Sequence, residues 1–189
     1  FLFISAFEDN PKLDIHDIEG FFTHIFERID LTRDLHFHTN TTIDTLDYSG
    51  TGLNSGSKLV IAAYGDKKRE LCKEVPIVLK ELQQFENPQL CMPGVIALQT
   101  KKFTTYEEAQ QELEVLNHQL STMNHELNSV AQLIICDDSS FVAANLRNYL
   151  WVGYTRCNPS HDVHGIASFT EYKHWGCKGP VVFDARLKP

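Results

Sequence analysis

The sequence predicts an α/β fold: a layered, mostly parallel sheet with helices on its faces, built from two related strand-helix-strand units. Three observations predict it. Short runs of β-branched and aliphatic residues alternate with longer segments whose apolar residues recur at three and four positions. The chain matches itself at a shift of 128 residues, which places Arg28 on Arg156, Asp34 on Asp162 and His36 on His164. Strands that alternate with helices at this spacing also imply parallel βαβ connections.

The first unit, residues 1–66, opens with a strand at Phe1 to Ile4 and leads through a polar stretch into a helix marked by Ile18, Phe21, Phe22, Ile25 and Phe26. That helix ends at Arg28, and a six-residue step reaches Asp34-x-His36 at the mouth of another strand. The apolar run Leu59 to Ala63 closes the unit. Residues 67–92 read as a connector, mixed in charge and broken by Pro76, with a short strand or helix at Ile77 to Leu82. The second unit, residues 93–189, begins where Pro93-Gly94 punctuates the chain before a buried strand at Val95 to Leu98. Thr104 or Thr105 caps a long helix expected over residues 105–128, with Glu107 and Glu108 favourable in its first turn. Leu113, Leu116, Leu120, Met123 and Leu127 form its apolar stripe. The first unit's pattern then returns as Leu133 to Cys136, a helix through Leu146, Tyr149, Leu150, Gly153 and Tyr154, then Arg156 and Asp162-x-His164. It closes at Val181 to Phe183, where the register drops to 122, Ile61 falling on Phe183. A unit present twice is an architectural device before it is a chemical one.

Composition narrows the function classes. With 189 residues, 42% hydrophobic and 22% charged, the chain is that of an ordinary globular protein. No apolar stretch approaches the roughly 20 residues that cross a bilayer, and no basic segment precedes the first apolar run, so neither a membrane span nor a signal peptide is expected. Five scattered cysteines argue for reduced thiols and a cytoplasmic setting. A net charge of −8 without a sustained basic run argues against nucleic acid as a partner. The chain also reads as cut from something longer, with neighbouring domains missing.

Several residues invite chemistry. Ligands gather at the carboxyl ends of strands in α/β sheets, which draws attention to Asp137 and Asp138 as Mg²⁺ or substrate ligands, although helix capping explains them as well. Cys157, His161, His164, His174 and Cys177 fall within twenty-one residues, and His36 and His38 share a strand face, which suggests a metal centre. Their spacing matches no standard zinc motif, so no metal ligand is assigned. Cys157 with His161 or His164 has the types of a nucleophilic pair, but lacks a recognisable oxyanion hole or orienting group. Arg156 and Asp162 flank Pro159, which ends a helix. An arginine there can satisfy terminal carbonyls while pairing with the aspartate, and Arg28 with Asp34 would repeat the arrangement. These four are the candidate pocket-edge or structural pairs, and Arg156 is the residue best suited to hold a carboxylate.

Three longer segments carry a resemblance. They are Leu133-Ile134-Ile135-Cys136-Asp137-Asp138; Leu150-Trp151 running into Thr155-Arg156-Cys157-Asn158-Pro159-Ser160-His161-Asp162; and Pro180-Val181-Val182-Phe183-Asp184-Ala185-Arg186-Leu187-Lys188-Pro189. A further stretch, Asn40-Thr41-Thr42-Ile43-Asp44-Thr45-Leu46-Asp47-Tyr48 through Gly56-Ser57-Lys58, joins them. Together they resemble the C-terminal domain of UbiD-type decarboxylases, which remove carboxylate from aromatic and α,β-unsaturated acids, in a long form with a duplicated C-terminal unit. The resemblance implies a prenylated FMN and a divalent metal held, with a Glu-Arg-Glu catalytic set, by an upstream domain that has no counterpart here. No catalytic, cofactor-binding or metal residue is therefore assigned to this chain. It further implies a homo-oligomeric lobe that closes over substrate, and, through the long form, a link to ubiquinone or menaquinone biosynthesis. The first copy keeps Gly56-Ser57-Lys58 but has Ala62-Ala63 where the family has Asp-Ala, whereas the second keeps Asp184-Ala185 but has Lys178-Gly179-Pro180 in place of Gly-Ser-Lys.

The resulting expectation is the C-terminal oligomerisation and substrate-closing domain of a non-oxidative carboxy-lyase, inactive alone and partnered by an upstream flavin-binding domain. The rivals are an α/β small-anion-binding module near Asp137 or Arg156 and a metal-dependent hydrolase built on the Cys157 to Cys177 segment.

Overall fold

The structure is a computed structural model that describes residues 1–45, 49–50, 52–123 and 125–188. Leu46, Asp47, Tyr48 and Pro189 of the resemblance segments, and Asn124 of the expected long helix, lie outside the described residues.

The first sheet is built from β1 (Leu2–Ser5), β2 (Leu35–Thr41) and β3 (Gly56–Ala63), in the order β1-β3-β2. Strand β3 runs parallel to β1 and antiparallel to β2. Between β1 and β2 lies helix α1 (Ile18–Arg28). The Asp17 side chain accepts from the Gly20 N–H to start it, and Phe22, Ile25 and Phe26 are buried along one face. A short helix α2 (Ile77–Lys80) leads to β4 (Glu86–Met92) and β5 (Val95–Gln99). Helix α3 (Tyr106–Leu120) follows, and then come β6 (Gln132–Cys136), α4 (Ser139–Ala143), α5 (Leu146–Thr155) and α6 (Pro159–Asp162). The chain ends with β7 (Val163–Gly165), the hairpin β8 (Ser168–Glu171) and β9 (His174–Cys177), and β10 (Val181–Asp184). The second sheet has the order β4-β5-β6-β10-β7.

The expected layered, mostly parallel sheet is overturned. Four of the seven described strand pairs are antiparallel: β2 with β3, β4 with β5, β7 with β10, and β8 with β9. Only β1 with β3, β5 with β6 and β6 with β10 are parallel. The physical reason is local. Pro93-Gly94 joins β4 to β5 through a two-residue turn with Gly94 at φ +75°, a connection that only antiparallel neighbours permit. Glu86 to Met92, assigned to a connector by its charge, is therefore an edge strand. The long helix also stops at Leu120, well short of residue 128. Met123 N–H returns to the Leu120 carbonyl and Leu127 N–H to Met123, so tight turns bring Leu127 into the same core.

What recurs is a strand, a helix, an antiparallel edge strand and a central strand. The order β6-β10-β7 repeats β1-β3-β2. Leu35 and His36 lie opposite Ile61 and Val60, while Val163 and His164 lie opposite Phe183 and Val182. The turns agree bond for bond: the Asp34 carboxylate accepts the Asp30 N–H at 2.9 Å and the Asp162 carboxylate accepts the Asn158 N–H at 2.6 Å. The inner faces of both sheets, with α1 and α5, share one core containing Ile25, Phe26, Ile61, Ile134, Tyr149 and Phe183. A second core lies between the opposite face of the larger sheet and α3.

Each half also grips the other's turn. Ser57 Oγ donates to Asn158 Oδ1 at 2.5 Å and accepts the Ser160 N–H at 2.8 Å. In return, Cys177 N–H donates to the Leu31 carbonyl, and Gly176 packs directly on Thr32. A Cβ at Gly176 would lie 2.7 Å from the Thr32 carbonyl oxygen and 2.9 Å from its Cα, against backbone that cannot swing aside. Gly176→Ala is therefore expected to destabilise the protein by about 1–3 kcal/mol, read as a lowered urea midpoint with an unchanged slope.

Candidate functional site

The carboxyl ends of β5, β6 and β10 converge, and polar residues collect there. After β6, Asp138 caps α4 by accepting the Phe141 N–H at 2.9 Å. Asp137 accepts the Leu187 N–H at 2.9 Å and pairs with Arg156 at 3.5 Å. After β10, Arg186 is 1% exposed and holds three partners, one of them the Lys101 carbonyl at 3.1 Å. Its guanidinium meets Asp184 in a two-bond fork (Nε to Oδ1 2.9 Å, Nη2 to Oδ2 2.6 Å) and reaches Glu112 of α3 at 2.6 Å. The planar fork suits carboxylate geometry, and a buried charge tolerates its loss of water only with partners of this quality. Lys188 reaches Asp162 at 3.2 Å and the carbonyls of Asp184 at 2.6 Å and Arg156 at 3.3 Å.

The titration of these groups follows from burial and pairing. Burial raises the Asp162 carboxyl above the ordinary carboxylate value, and Lys188 only partly offsets it. Burial pushes Asp184 the same way, but hydrogen bonds from Arg186 and the charges of Lys188 and Arg186 outweigh it and hold Asp184 low. Burial keeps the His164 imidazole down at about 4, against the pull of Asp184. Beside the network opens a groove of about 580 Å³ that includes Gly50, Phe103, Tyr106, Arg156 and Lys188 in its walls. Burial, then the negative charges of Asp162 and Asp184, push the Tyr106 phenol up to about 12, so it stays protonated near neutral pH.

The structure redistributes the residues singled out from sequence. Arg156 pairs with Asp137, not Asp162, and Asp162 pairs with Lys188. Arg28 caps its helix through the His24 carbonyl at 3.1 Å and meets Glu27 at 3.3 Å, whereas Asp34 pairs with Arg33 at 2.7 Å. Neither expected arginine–aspartate pair forms, because each aspartate turns inward to hold its own turn and each arginine stays at the helix end. Cys157 is fully buried and its thiol is pushed well above the ordinary value by burial, which removes it as a nucleophile. His161 Nδ1 meets Ser160 Oγ at 2.8 Å, and His174 stands beside His36 with ring centroids 5.9 Å apart. Among the described residues no three His, Cys, Asp or Glu side chains converge on a point that could hold a metal, so the Cys157 to Cys177 cluster is close in sequence and dispersed in space.

Sequence reasoning passed over Ser57, Glu112, Asp184, Arg186 and Lys188 as chemistry. The signal for Glu112 was its place in the stripe between Ala109 and Leu116, where an acid is buried only if a cation waits opposite. That for Arg186 was its position two residues beyond Asp184 at the end of an apolar strand. A flavin phosphate would need a free cation or a cradle of N–H groups. Arg156 is committed to Asp137, and Lys188 to Asp162 and backbone carbonyls, so neither cation of the groove is free for that phosphate.

Residues 4–63, nearly the whole first sheet with its helix, match the family described as 3-octaprenyl-4-hydroxybenzoate carboxy-lyase C-terminal domain. A Chlamydia pneumoniae protein named as a 4-hydroxybenzoate decarboxylase subunit is 29% identical over 168 residues, which cover 87% of this chain and 26% of that protein. Over residues 4–63 the chain is thus similar to a UbiD-type C-terminal domain. Uncharacterized proteins of Chlamydia caviae and Chlamydia trachomatis serovar D match 94% and 95% of the chain at 27% and 25% identity, over 28% and 29% of their own length. The chain thus spans less than a third of the curated relatives it matches. No solved structure matches it significantly. Among the described residues, no helix is long and apolar enough to cross a membrane.

Two measurements test the network. Asp184→Ala, which strands a buried guanidinium, is expected to cost about 3–5 kcal/mol of stability by chemical denaturation. His164 is held neutral in the folded state, whereas an unfolded imidazole titrates near about 6.5. The unfolded chain therefore binds the extra proton first, and stability falls as pH drops from about 6.5 towards about 4. Asp162, raised by burial, works in the opposite sense. The contribution of His164 is isolated by comparison with His164→Gln, over which the wild-type protein is expected to lose on the order of 2–3 kcal/mol across that window.

Proposed function

We propose that this chain is the C-terminal domain of a non-oxidative carboxy-lyase acting on aromatic or α,β-unsaturated acids, and that it is catalytically incomplete alone. The observation that carries the reading is the match of residues 4–63 to the carboxy-lyase C-terminal family, on the segment that supplies Ser57 to the contact between the halves. The charge network supports it. Arg186 and Lys188 are spent on Asp184, Glu112, Asp162 and carbonyls, an arrangement that stiffens a scaffold and offers no group poised for proton transfer. In this reading the prenylated FMN and a divalent metal belong to an upstream domain of the same cytoplasmic polypeptide. This domain joins the protomers of a homo-oligomer and shields the reacting acid from water. The name of the Chlamydia pneumoniae relative makes 4-hydroxybenzoate the first acid to test, and a carboxy-lyase acting on it fits quinone biosynthesis.

The isolated chain is expected to purify colourless and to release no CO₂ from 4-hydroxybenzoate, while the longer protein that contains it binds flavin and turns over. A yellow chromophore on the isolated chain, or turnover by it, overturns the proposal.

A further inference from the structure

The two halves differ most in what covers their outer sheet faces. In the second sheet, Leu133, Ile135 and Val182 project from one face, each no more than 1% exposed. They are sealed by Leu113, Leu116 and Leu120 of α3, which belong to the same cluster. The strand registers identify their counterparts. Leu2 lies opposite Val60 as Leu133 lies opposite Val182, and Ile4 lies opposite Ala62 as Ile135 lies opposite Asp184. Yet Leu2 is 53% exposed and Ile4 45%. One apolar face is covered and its twin is open.

We infer that the open face, Leu2, Ile4, Val60 and Ala62, seats an amphipathic helix equivalent to α3, contributed by the polypeptide that precedes β1 in the longer protein. The helix α3 ends at Leu120 and β6 begins at Gln132, so the counterpart would end about as far ahead of β1. More than two-thirds of each relative's length lies outside the region matched here, enough to supply it. Dimensions favour a single helix over a second copy of the chain. The apolar residues lie on two adjacent strands about 4.8 Å apart, bordered by His36 and Lys58, a strip roughly one helix diameter wide, short of the about 800 Å² per partner of a stable dimer.

The chemistry of the occupant follows from the replacements. In the covered half, α3 carries Glu112 because Arg186 stands below it beside Asp184. At the 122-residue register Asp184 corresponds to Ala62 and Arg186 to Tyr64, so the open seat has no buried cation to neutralise. The missing helix should present aliphatic residues at three- and four-residue spacing with no acid in the stripe. An acid placed there would be buried without a partner.

Ile4 is exposed, so replacing it with a photoreactive phenylalanine derivative leaves the fold intact. On irradiation of the longer protein, mass spectrometry is expected to find the adduct on a helical peptide about a dozen residues ahead of β1. In the isolated chain, Leu2→Cys should react with a soluble maleimide at the rate of Tyr172→Cys, whose parent side chain is 94% exposed. In the longer protein, the reaction at Leu2→Cys should slow at least ten-fold. The native thiols add little background, since burial raises Cys72 and takes Cys91, Cys136 and Cys177 up to about 12. An adduct on a second copy, an adduct elsewhere in the polypeptide, or unslowed labelling each overturns the inference. None of these readouts requires decarboxylation, so loss of the proposed activity and loss of the helix seat are told apart.

Discussion

Two aspartates hold the architecture by the same means. Asp34 and Asp162 are each buried, and each carboxylate accepts the backbone N–H of the residue four positions earlier. A charge-assisted bond of this kind fixes the short step between a helix and the next strand, because it satisfies a donor that the turn would otherwise bury unpaired. With the step fixed, the chain emerges as an edge strand antiparallel to the centre of its sheet, giving both sheets their mixed character. The turn is also rigid enough to be gripped. Ser57 docks on Asn158 and Ser160 of one turn, and Cys177 and Gly176 rest on Leu31 and Thr32 of the other. The halves therefore interlock through the features that define them.

Polar residues at the carboxyl ends of the second sheet serve that same rigidity. Burying Arg186, Asp184, Glu112 and Asp162 together removes four charges from water, which is favourable only if each finds good partners. They do, and Lys188 closes the set by tying the last described residues back to Asp162 and two loop carbonyls. The place where ligands usually gather in α/β sheets is filled here by side chains that hold one another. This is the physical content of calling the chain a scaffold.

Much of this was legible in the sequence, and the illegible parts share a cause. Helix α1, the start of α3, the apolar strands and the correspondence of Asp34 with Asp162 could be read from spacing and residue type, because both act over a few residues. Strand direction could not. Side chains alternate with a period of two in parallel and antiparallel strands alike, so direction is not written in that repeat; polar β4 passed for a connector, and the sheet for a mostly parallel one. The site suffered from the same locality. Arg156 and Asp162 are six residues apart and look like natural partners by spacing, yet the fold brings Lys188 to Asp162 from the far end of the chain, and Asp137 to Arg156 from the preceding strand. Glu112 and Arg186 are separated by most of the second half, and only their place in otherwise apolar patterns hinted at a meeting.

The divergence of the two halves becomes intelligible in these terms. The first keeps Gly56-Ser57-Lys58, and Ser57 is the side chain that spans to the second half's turn; the second replaces that triplet, and its reciprocal contact is made instead by the backbone of Cys177 and the bare surface of Gly176. The second keeps Asp184, which anchors Arg186 beneath α3, whereas the first has Ala62, with neither a cation nor a covering helix among the described residues. A carboxylate at position 62 would face an open apolar strip without a partner, so its loss goes with the loss of Arg186's counterpart. Each substitution thus tracks the neighbour that the residue would have needed, as expected when duplicated halves fold onto each other and stop facing identical surroundings.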